Sequence, residues 1–317
     1  MAKIGLIDVD GHNFPNIPLM KISAYHKAQG DSVEWYDPMF SEHMDKVYAS
    51  KVFSWSPDFE YFINADEVSY GGSGYCIDLV DGKEVYDKSK DKDMPPEIEH
   101  IYPDYSIYDI TDTAYGFLTR GCPRGCGFCH VAAKEGRRAY KVADLNEFWR
   151  GQKNIVLCDP NILACRDWKD LLQQLIDSGA SVDFNQGLDM RLMTEEKAEM
   201  LKRIKTKNLH FAWDKWEDKD KILPQFETFK QITQIDYRKL GVYVLCNYDT
   251  TFKQDLERVY TLRDLGYSPY VTLYNKESIP KGHQLRKLQR WVNNRFVFAT
   301  CKTFEEYCGK MKGGGGA

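Results

Sequence analysis

Residues 115–130 read Tyr115-Gly116-Phe117-Leu118-Thr119-Arg120-Gly121-Cys122-Pro123-Arg124-Gly125-Cys126-Gly127-Phe128-Cys129-His130. A short apolar run suited to a strand gives way to a Gly-rich loop whose cysteines are spaced Cys-x3-Cys-x2-Cys. Three thiolates so close in such a loop can wrap a compact soft-metal centre, and the glycines let the backbone bend around it. A structural zinc site wants a fourth ligand. His130 is adjacent to Cys129 and poorly placed to close a tetrahedron with it. A [4Fe–4S] cluster held by three cysteines instead leaves one iron open to an exogenous ligand.

Outward from this loop the chain alternates. The apolar runs AYGFLTR (114–120), NIVLCDP (154–160), SVDFNQG (181–187), NLHFAWD (208–214), LGVYVLCNY (240–248) and SPYVTLYN (268–275) are separated by amphipathic stretches. Among these are RDWKDLLQQLIDSG (166–179), TEEKAEMLKRIK (194–205), DKILPQFETFKQI (220–232) and TFKQDLERVYTLRDLG (251–266). Strand–helix–strand crossovers are right-handed and build a parallel sheet. Six strands predict a partial, open barrel rather than a complete eightfold one. Polar residues recur where the strands end: Asp159 and Asn161, Asn185 and Gln186, Asp214, Asn247 and Asp249, Tyr274 and Asn275. In parallel α/β architectures the active site lies at the carboxyl ends of the strands, so these positions are expected to face one cavity. Turn and cap formation is the plainer account of any one of them.

Before the loop, KIGLIDV (3–9) reads as a strand and LMKISAYHKAQG (19–30) as a helix with Leu19, Ile22, Tyr25 and His26 on one face, ended by Gly30. SVEWYDP (32–38), VYASKVFSW (47–55) and EVSYGGSGY (67–75) supply further strand candidates. The first 80 residues are thus expected to form a small α/β unit around a parallel sheet. Residues 81–114, charged, Pro-containing and without clear periodicity, read as a linker or strap.

Composition bounds the rest. The chain has 317 residues, 43% apolar and 28% charged, with a mean hydropathy of −0.54, which is ordinary for a soluble protein of two domains, or of one large domain with an extension. No apolar run is long enough to span a membrane, and the N-terminus does not read as a signal peptide. A cytoplasmic location without a membrane partner is the expectation. The net charge of −4 argues against nucleic-acid binding through overall basicity, while leaving local patches at Lys134–Arg138 and Lys281–Arg295, for which solvated helix faces are the simpler reading. Aromatic residues make up 14% of the chain, which fits a cavity for planar groups and fits packing equally. Nine cysteines without a secretory signal favour metal or cluster binding over disulfides. Outside the loop, Cys76, Cys158, Cys165, Cys246, Cys301 and Cys308 read as reduced structural thiols rather than as an auxiliary cluster. The tail Gly313–Gly316 reads as flexible.

In spacing, in the aromatic Phe128 before the third cysteine, and in its place after the first strand of an open barrel, the region from residue 115 to about 275 resembles the radical SAM superfamily. The resemblance implies that Cys122, Cys126 and Cys129 hold a [4Fe–4S] cluster whose open iron binds the amino and carboxylate groups of S-adenosylmethionine. Reductive cleavage of the C–S bond would then give a 5′-deoxyadenosyl radical for hydrogen abstraction, with electrons from an external donor such as flavodoxin or ferredoxin. The Gly-Gly-Glu-like motif expected at the end of the second strand is replaced by Cys158-Asp159-Pro160-Asn161. This resembles the acidic version found in the branch with an N-terminal cobalamin-binding domain, in which Asp159 would accept from the methionine amine. By the same resemblance Asn185, Gln186 and Arg191 are candidates for the carboxylate, ribose or substrate, Asp214 for a similar role, and Asn247 for adenine or ribose.

Residues 1–80 resemble a shortened cobalamin-binding Rossmann-like domain, on strand–helix–strand order, Gly71-Gly72 and Tyr102-Pro103-Asp104-Tyr105. They depart from it where Asp10-Gly11-His12-Asn13 is followed by Pro15 in place of the motif's Gly, and the region is too short for five strands. The resulting expectation is a partial (β/α)6 radical SAM barrel at 115–298, behind a degenerate domain at 1–80 and a linker at 81–114, with an extension at 299–317. Cobalamin is not favoured, and His12 reads as a loop histidine. Cobalamin-dependent methyl transfer and a non-catalytic iron–sulfur or zinc protein are the alternatives. The substrate is not legible.

Overall fold

The structure is a computed structural model and describes residues 1–11 and 13–313; His12 and the last residues of the glycine tail lie outside them. The chain separates into two compact units, Met1–Asp167 and Trp168–Ala317. The division therefore falls inside the alternating region and not at 114/115, where the composition changes.

In the first unit, β1 (Lys3–Asp8), α1 (Ile17–Ala28), β2 (Ser32–Trp35), β3 (Met44–Ser50) and β4 (Ala65–Gly71) build a four-stranded sheet in the order β2-β1-β3-β4, and every pairing in it is parallel. Alternation along β1 sends Ile4 and Leu6 to one face, where Leu19 and Ile22 of α1 cover them. Ile7 goes to the other face, with Tyr36, Met44, Val47 and Ala49. Helix α1 starts where the Asn16 side chain accepts from the Leu19 N–H at 3.2 Å. It stops before Gly30, whose φ of +85° suits glycine. Among the described residues of this unit the one helix of more than two turns, α1, covers one face of the sheet, in keeping with the small Rossmann-like layer the sequence suggested.

The stretch expected as an aperiodic linker is ordered and belongs to this unit. β5 (Ile77–Val80) and β6 (Lys83–Tyr86) form an antiparallel hairpin, and α2 (Pro96–Glu99) places Ile98 in the core beside Leu19 and Ile22. Asp104 accepts from Ser23 Oγ and Lys27 Nζ of α1, each at 2.6 Å. The buried Tyr105 accepts from the Tyr115 N–H at 3.0 Å and donates to the Phe148 carbonyl at 2.8 Å. Charge and proline hid this strap because its order comes from single long-range anchors rather than from a periodic face. It leads into β7 (Thr113–Gly116), β8 (Thr119–Arg120), α3 (Val131–Glu135), β9 (Tyr140–Lys141) and β10 (Asn154–Leu157), with β7 and β10 paired in parallel.

The second unit runs α4 (Trp168–Ser178), β11 (Ser181–Phe184), α5 (Glu195–Arg203), β12 (Leu209–Ala212), α6 (Lys219–Thr233), β13 (Leu240–Cys246), α7 (Phe252–Asp264), β14 (Ser268–Leu273), α8 (Gln284–Asn293), α9 (Arg295–Thr300) and α10 (Phe304–Gly313). β12, β13 and β14 are parallel, and parallel bridges Val182–Thr206 and Leu188–Phe211 join the β11 segment to β12. All six expected strands exist, as β7 and β10 to β14. The open edge of β14 is blunted by amide side chains: Asn293 Oδ1 accepts from the Val271 N–H at 2.8 Å, and Gln289 Nε2 and Asn293 Nδ2 donate to its carbonyl. Among the described residues no helix is long and apolar enough to cross a membrane.

Candidate metal centre

The cysteine loop leaves the sheet after β7 and returns through β9, and its base is clamped several times. β8 and β9 pair antiparallel, Thr119 with Lys141 and Arg120 with Tyr140. Glu135, at the end of α3, accepts from Arg120 Nη1 and from the Gly121 N–H, both at 2.9 Å. The Cys122 N–H donates to the Gly136 carbonyl at 3.2 Å. Gly121 has φ +78°, and a Cβ there would lie 2.1 Å from the Arg138 carbonyl oxygen, so this position admits no side chain. Beyond the clamp the loop curls on itself, the Cys129 N–H donating to the Cys126 carbonyl at 3.0 Å. Cys122 and Cys126 are half-buried and Cys129 is exposed; Phe128 is half-buried between the last two.

Asp159 and Asn161, both 4% exposed, approach this loop from the end of β10. The Asp159 carboxylate accepts from the N–H groups of Leu118 and Thr119, at 3.1 and 2.5 Å, and from Thr119 Oγ1 at 2.6 Å. Burial pushes its pKa up to about 6 despite these bonds. Its bonds tie the end of β10 to the strand end that launches the loop. Asn161 Nδ2 donates to Cys122 Sγ at 3.5 Å. An N–H donor on a cysteine sulfur is the kind of outer contact that tunes a bound metal cluster.

Among the described residues no three His, Cys, Asp or Glu side chains converge as a single metal ion requires. A polynuclear cluster poses a different demand, since each of its cysteines binds a different iron and the three sulfurs need not meet at a point. The soft donor set, the flexible Gly-rich loop on a rigid base and the amide donor on Cys122 fit such a cluster.

The expected residues of the second unit are held by their own neighbours. Asn185 is half-buried and Gln186 exposed in the turn after β11. Arg191 donates to Asp189 Oδ1 at 2.7 Å and to Asp218 Oδ2 at 2.8 Å, and these carboxylates raise its pKa against the opposing effect of burial. Asp214, following β12, has its pKa pushed up to about 6 by desolvation, which Arg258 and Arg191 only partly offset. Asn247 has φ +67° and its Nδ2 donates to the Tyr274 carbonyl at 2.9 Å, tying the ends of β13 and β14 together.

Sequence reasoning missed the residue that organises these ends. Arg258 of α7 is fully buried. It donates to the carbonyls of Trp213, Asp214 and Leu245, at 2.6, 3.0 and 2.8 Å, and to Asp255 Oδ1 at 2.6 Å. An arginine on an amphipathic helix reads as solvated; only its i,i+3 spacing from Asp255 hinted at a pair. Of the remaining cysteines, those at 76, 158, 165, 246 and 301 are buried and Cys308 is half-buried, and burial raises the Cys246 thiol.

Comparison with solved structures is decisive for the architecture. The chain superposes on the radical S-adenosylmethionine methyltransferase TsrM from Kitasatospora setae, solved with cobalamin and a [4Fe–4S] cluster bound. The TM-score is 0.56 at 12% identity, over 86% of this chain and 75% of that one. The chain has a radical SAM fold. A second structure of TsrM, with its tryptophan substrate and a SAM analogue, gives a TM-score of 0.58 at 11% identity over 86% and 73% of the two chains. No protein-family model and no curated protein sequence matches the chain. Within the radical SAM fold the Cys-x3-Cys-x2-Cys loop falls where the sequence placed it, after the first of the six strands.

Proposed function

We propose that this protein is a radical SAM enzyme that carries a [4Fe–4S] cluster on Cys122, Cys126 and Cys129. The observation that carries the reading is the three-cysteine loop, clamped at Gly121 and Glu135 directly after β7, the first strand of that fold. When bound, the cluster and S-adenosylmethionine supply reductive C–S cleavage and a 5′-deoxyadenosyl radical for hydrogen abstraction. The chain's own part is to hold the loop. Asp159 and Thr119 fix the strand end, Glu135 fixes the loop's return, and Asn161 donates to the Cys122 sulfur. Asn185, Gln186, Asp214 and Asn247 are the candidates for S-adenosylmethionine or substrate in the second unit, and Arg191 serves there through Asp189 and Asp218. Electrons would come from a flavodoxin- or ferredoxin-like donor in the cytoplasm.

Anaerobic reconstitution tests the metal assignment. The expected result is about four irons and four sulfides per chain, lost when Cys122, Cys126 and Cys129 are changed to Ala. Zinc in place of iron would overturn it.

Cobalamin-dependent methyl transfer is the second reading. It is favoured by the extent of the TsrM likeness, 86% of this chain, a share too large to leave out all of residues 1–80. Pro15 stands against it, occupying the motif position where glycine is expected. Corrinoid retained through purification from a cobalamin-supplied host would support this reading, and its absence would favour hydrogen abstraction alone.

A further inference from the structure

The sheet of the second unit has two unlike faces. Phe184, Phe211, Val242 and Val271 are buried on one, and Phe211 meets Phe226 and Phe229 of α6 edge to face. The alternate positions carry Asp183, His210, Tyr243 and Tyr270, one from each of β11 to β14. His210 and Tyr243 stack with centroids 5.5 Å apart and planes at 28°, and Tyr243 meets Tyr270 edge to face at 5.8 Å. Gly241 leaves room for the imidazole: a Cβ there would lie 2.7 Å from His210 Cδ2. Asp183 Oδ1 and His210 Nδ1 are buried without a hydrogen-bond partner among the described residues, an arrangement that a donor on a ligand would relieve. Burial lowers the His210 pKa, with Arg295 adding to the effect and Asp183 opposing it. The shift favours the neutral ring, in which one nitrogen can accept.

Tyr270, 48% exposed, opens onto a groove of about 390 Å³ lined also by Lys276, Arg286, Gln289, Arg290 and Asn293. Gln289 and Asn293 are engaged by the edge of β14, and Arg286 by the carbonyls of Ile279 and Lys276. The exposed cations of the groove are Lys276 and Arg290. Lys276 and Arg290 have no carboxylate partner among the described residues. The large hydrophobic side chains most exposed in this unit are Tyr237, Tyr270 and Phe296, all of them aromatic. An exposed aromatic face beside unpaired cations in an open groove suits single-stranded nucleic acid, whose bases stack while its phosphates follow the positive charge.

We infer that this face binds a single-stranded nucleic-acid segment, with a base against the Tyr243–Tyr270 ladder, the base's N–H edge toward His210 and Asp183, and backbone phosphates on Lys276 and Arg290. The net charge of −4 gives no long-range steering toward such a partner; the local groove supplies the complementarity instead. The inference rests on the proposed function only in taking the bound nucleotide as the substrate of the radical chemistry.

Fluorescence anisotropy of the reconstituted holoenzyme with labelled, short, mixed-sequence single-stranded RNA and DNA tests it. At least one should bind. Tyr270→Ala should weaken binding on the order of ten-fold while Tyr270→Phe retains it. Lys276→Ala and Arg290→Ala should each lower affinity and reduce the log–log salt slope by about 1. Thermal melting of each variant controls for folding. Failure of both oligonucleotides to bind at micromolar protein would overturn the inference, as would indifference to Tyr270→Ala and Arg290→Ala. Adenosine binding as tightly as the oligonucleotides would also contradict it, because the phosphate contacts would then contribute nothing. Formation of 5′-deoxyadenosine is scored separately. Cleavage without oligonucleotide binding defeats this inference alone, and binding without cleavage defeats the radical reading alone.

Discussion

The carboxylate of Asp159 is buried against the chain it organises, and ionising it there is costly. Desolvation lifts its pKa from 3.8 to about 6 even though three donors face it. Between those pH values the folded protein keeps a proton that the unfolded chain has released. Stability therefore falls as pH rises from about 4 to 6, by about 3 kcal/mol for this group. Asp214, also pushed up to about 6, adds a change of the same sign. Asp159→Asn should flatten the decline in melting temperature across that window, and a profile as steep as the parent's would contradict the burial argument. The cysteines were legible from sequence because their spacing is local. The partners of Asp159 were not: Leu118 and Thr119 lie 41 and 40 residues away, and only the fold brings them together.

At the scale of elements, the loop after β7 depends on two glycines in unequal ways. A Cβ on Gly121 would strike backbone, the Arg138 carbonyl at 2.1 Å, whereas one on Gly125, at φ +57°, would meet the movable Arg137 guanidinium at 2.9 Å. Gly121→Ala should therefore displace the β8–β9 clamp and abolish iron incorporation. Gly125→Ala should retain most of it, with a cost of about 1 kcal/mol from its left-handed backbone. Equal iron content in the two variants would show that the clamp does not set the loop. Strands β7 and β10 to β14 were readable because each is an apolar run flanked by turn residues. The strap escaped because Ile98 and Tyr105 are lone anchors in a charged stretch, and Arg258 escaped because helical periodicity says where a residue faces and not which carbonyls await it.

At the scale of the molecule, six parallel-type strands, a cysteine loop on the first of them and a preceding four-stranded parallel sheet make up a radical SAM fold with a reduced N-terminal layer. The parallel strands followed from strand–helix alternation, and the compact units did not, since their boundary at 167/168 coincides with no change in composition. The substrate was not readable because the residues proposed to face it, such as His210 and Tyr270, sit at strand positions whose partners come from other strands. The central claim is that the loop initiates radical chemistry. It is tested most directly by incubating the reconstituted protein anaerobically with S-adenosylmethionine and dithionite and measuring 5′-deoxyadenosine by liquid chromatography. The account predicts 5′-deoxyadenosine from the parent chain and none from the Cys122→Ala, Cys126→Ala, Cys129→Ala triple variant. A parent chain loaded with four irons that forms none, or a triple variant that forms as much, would contradict it.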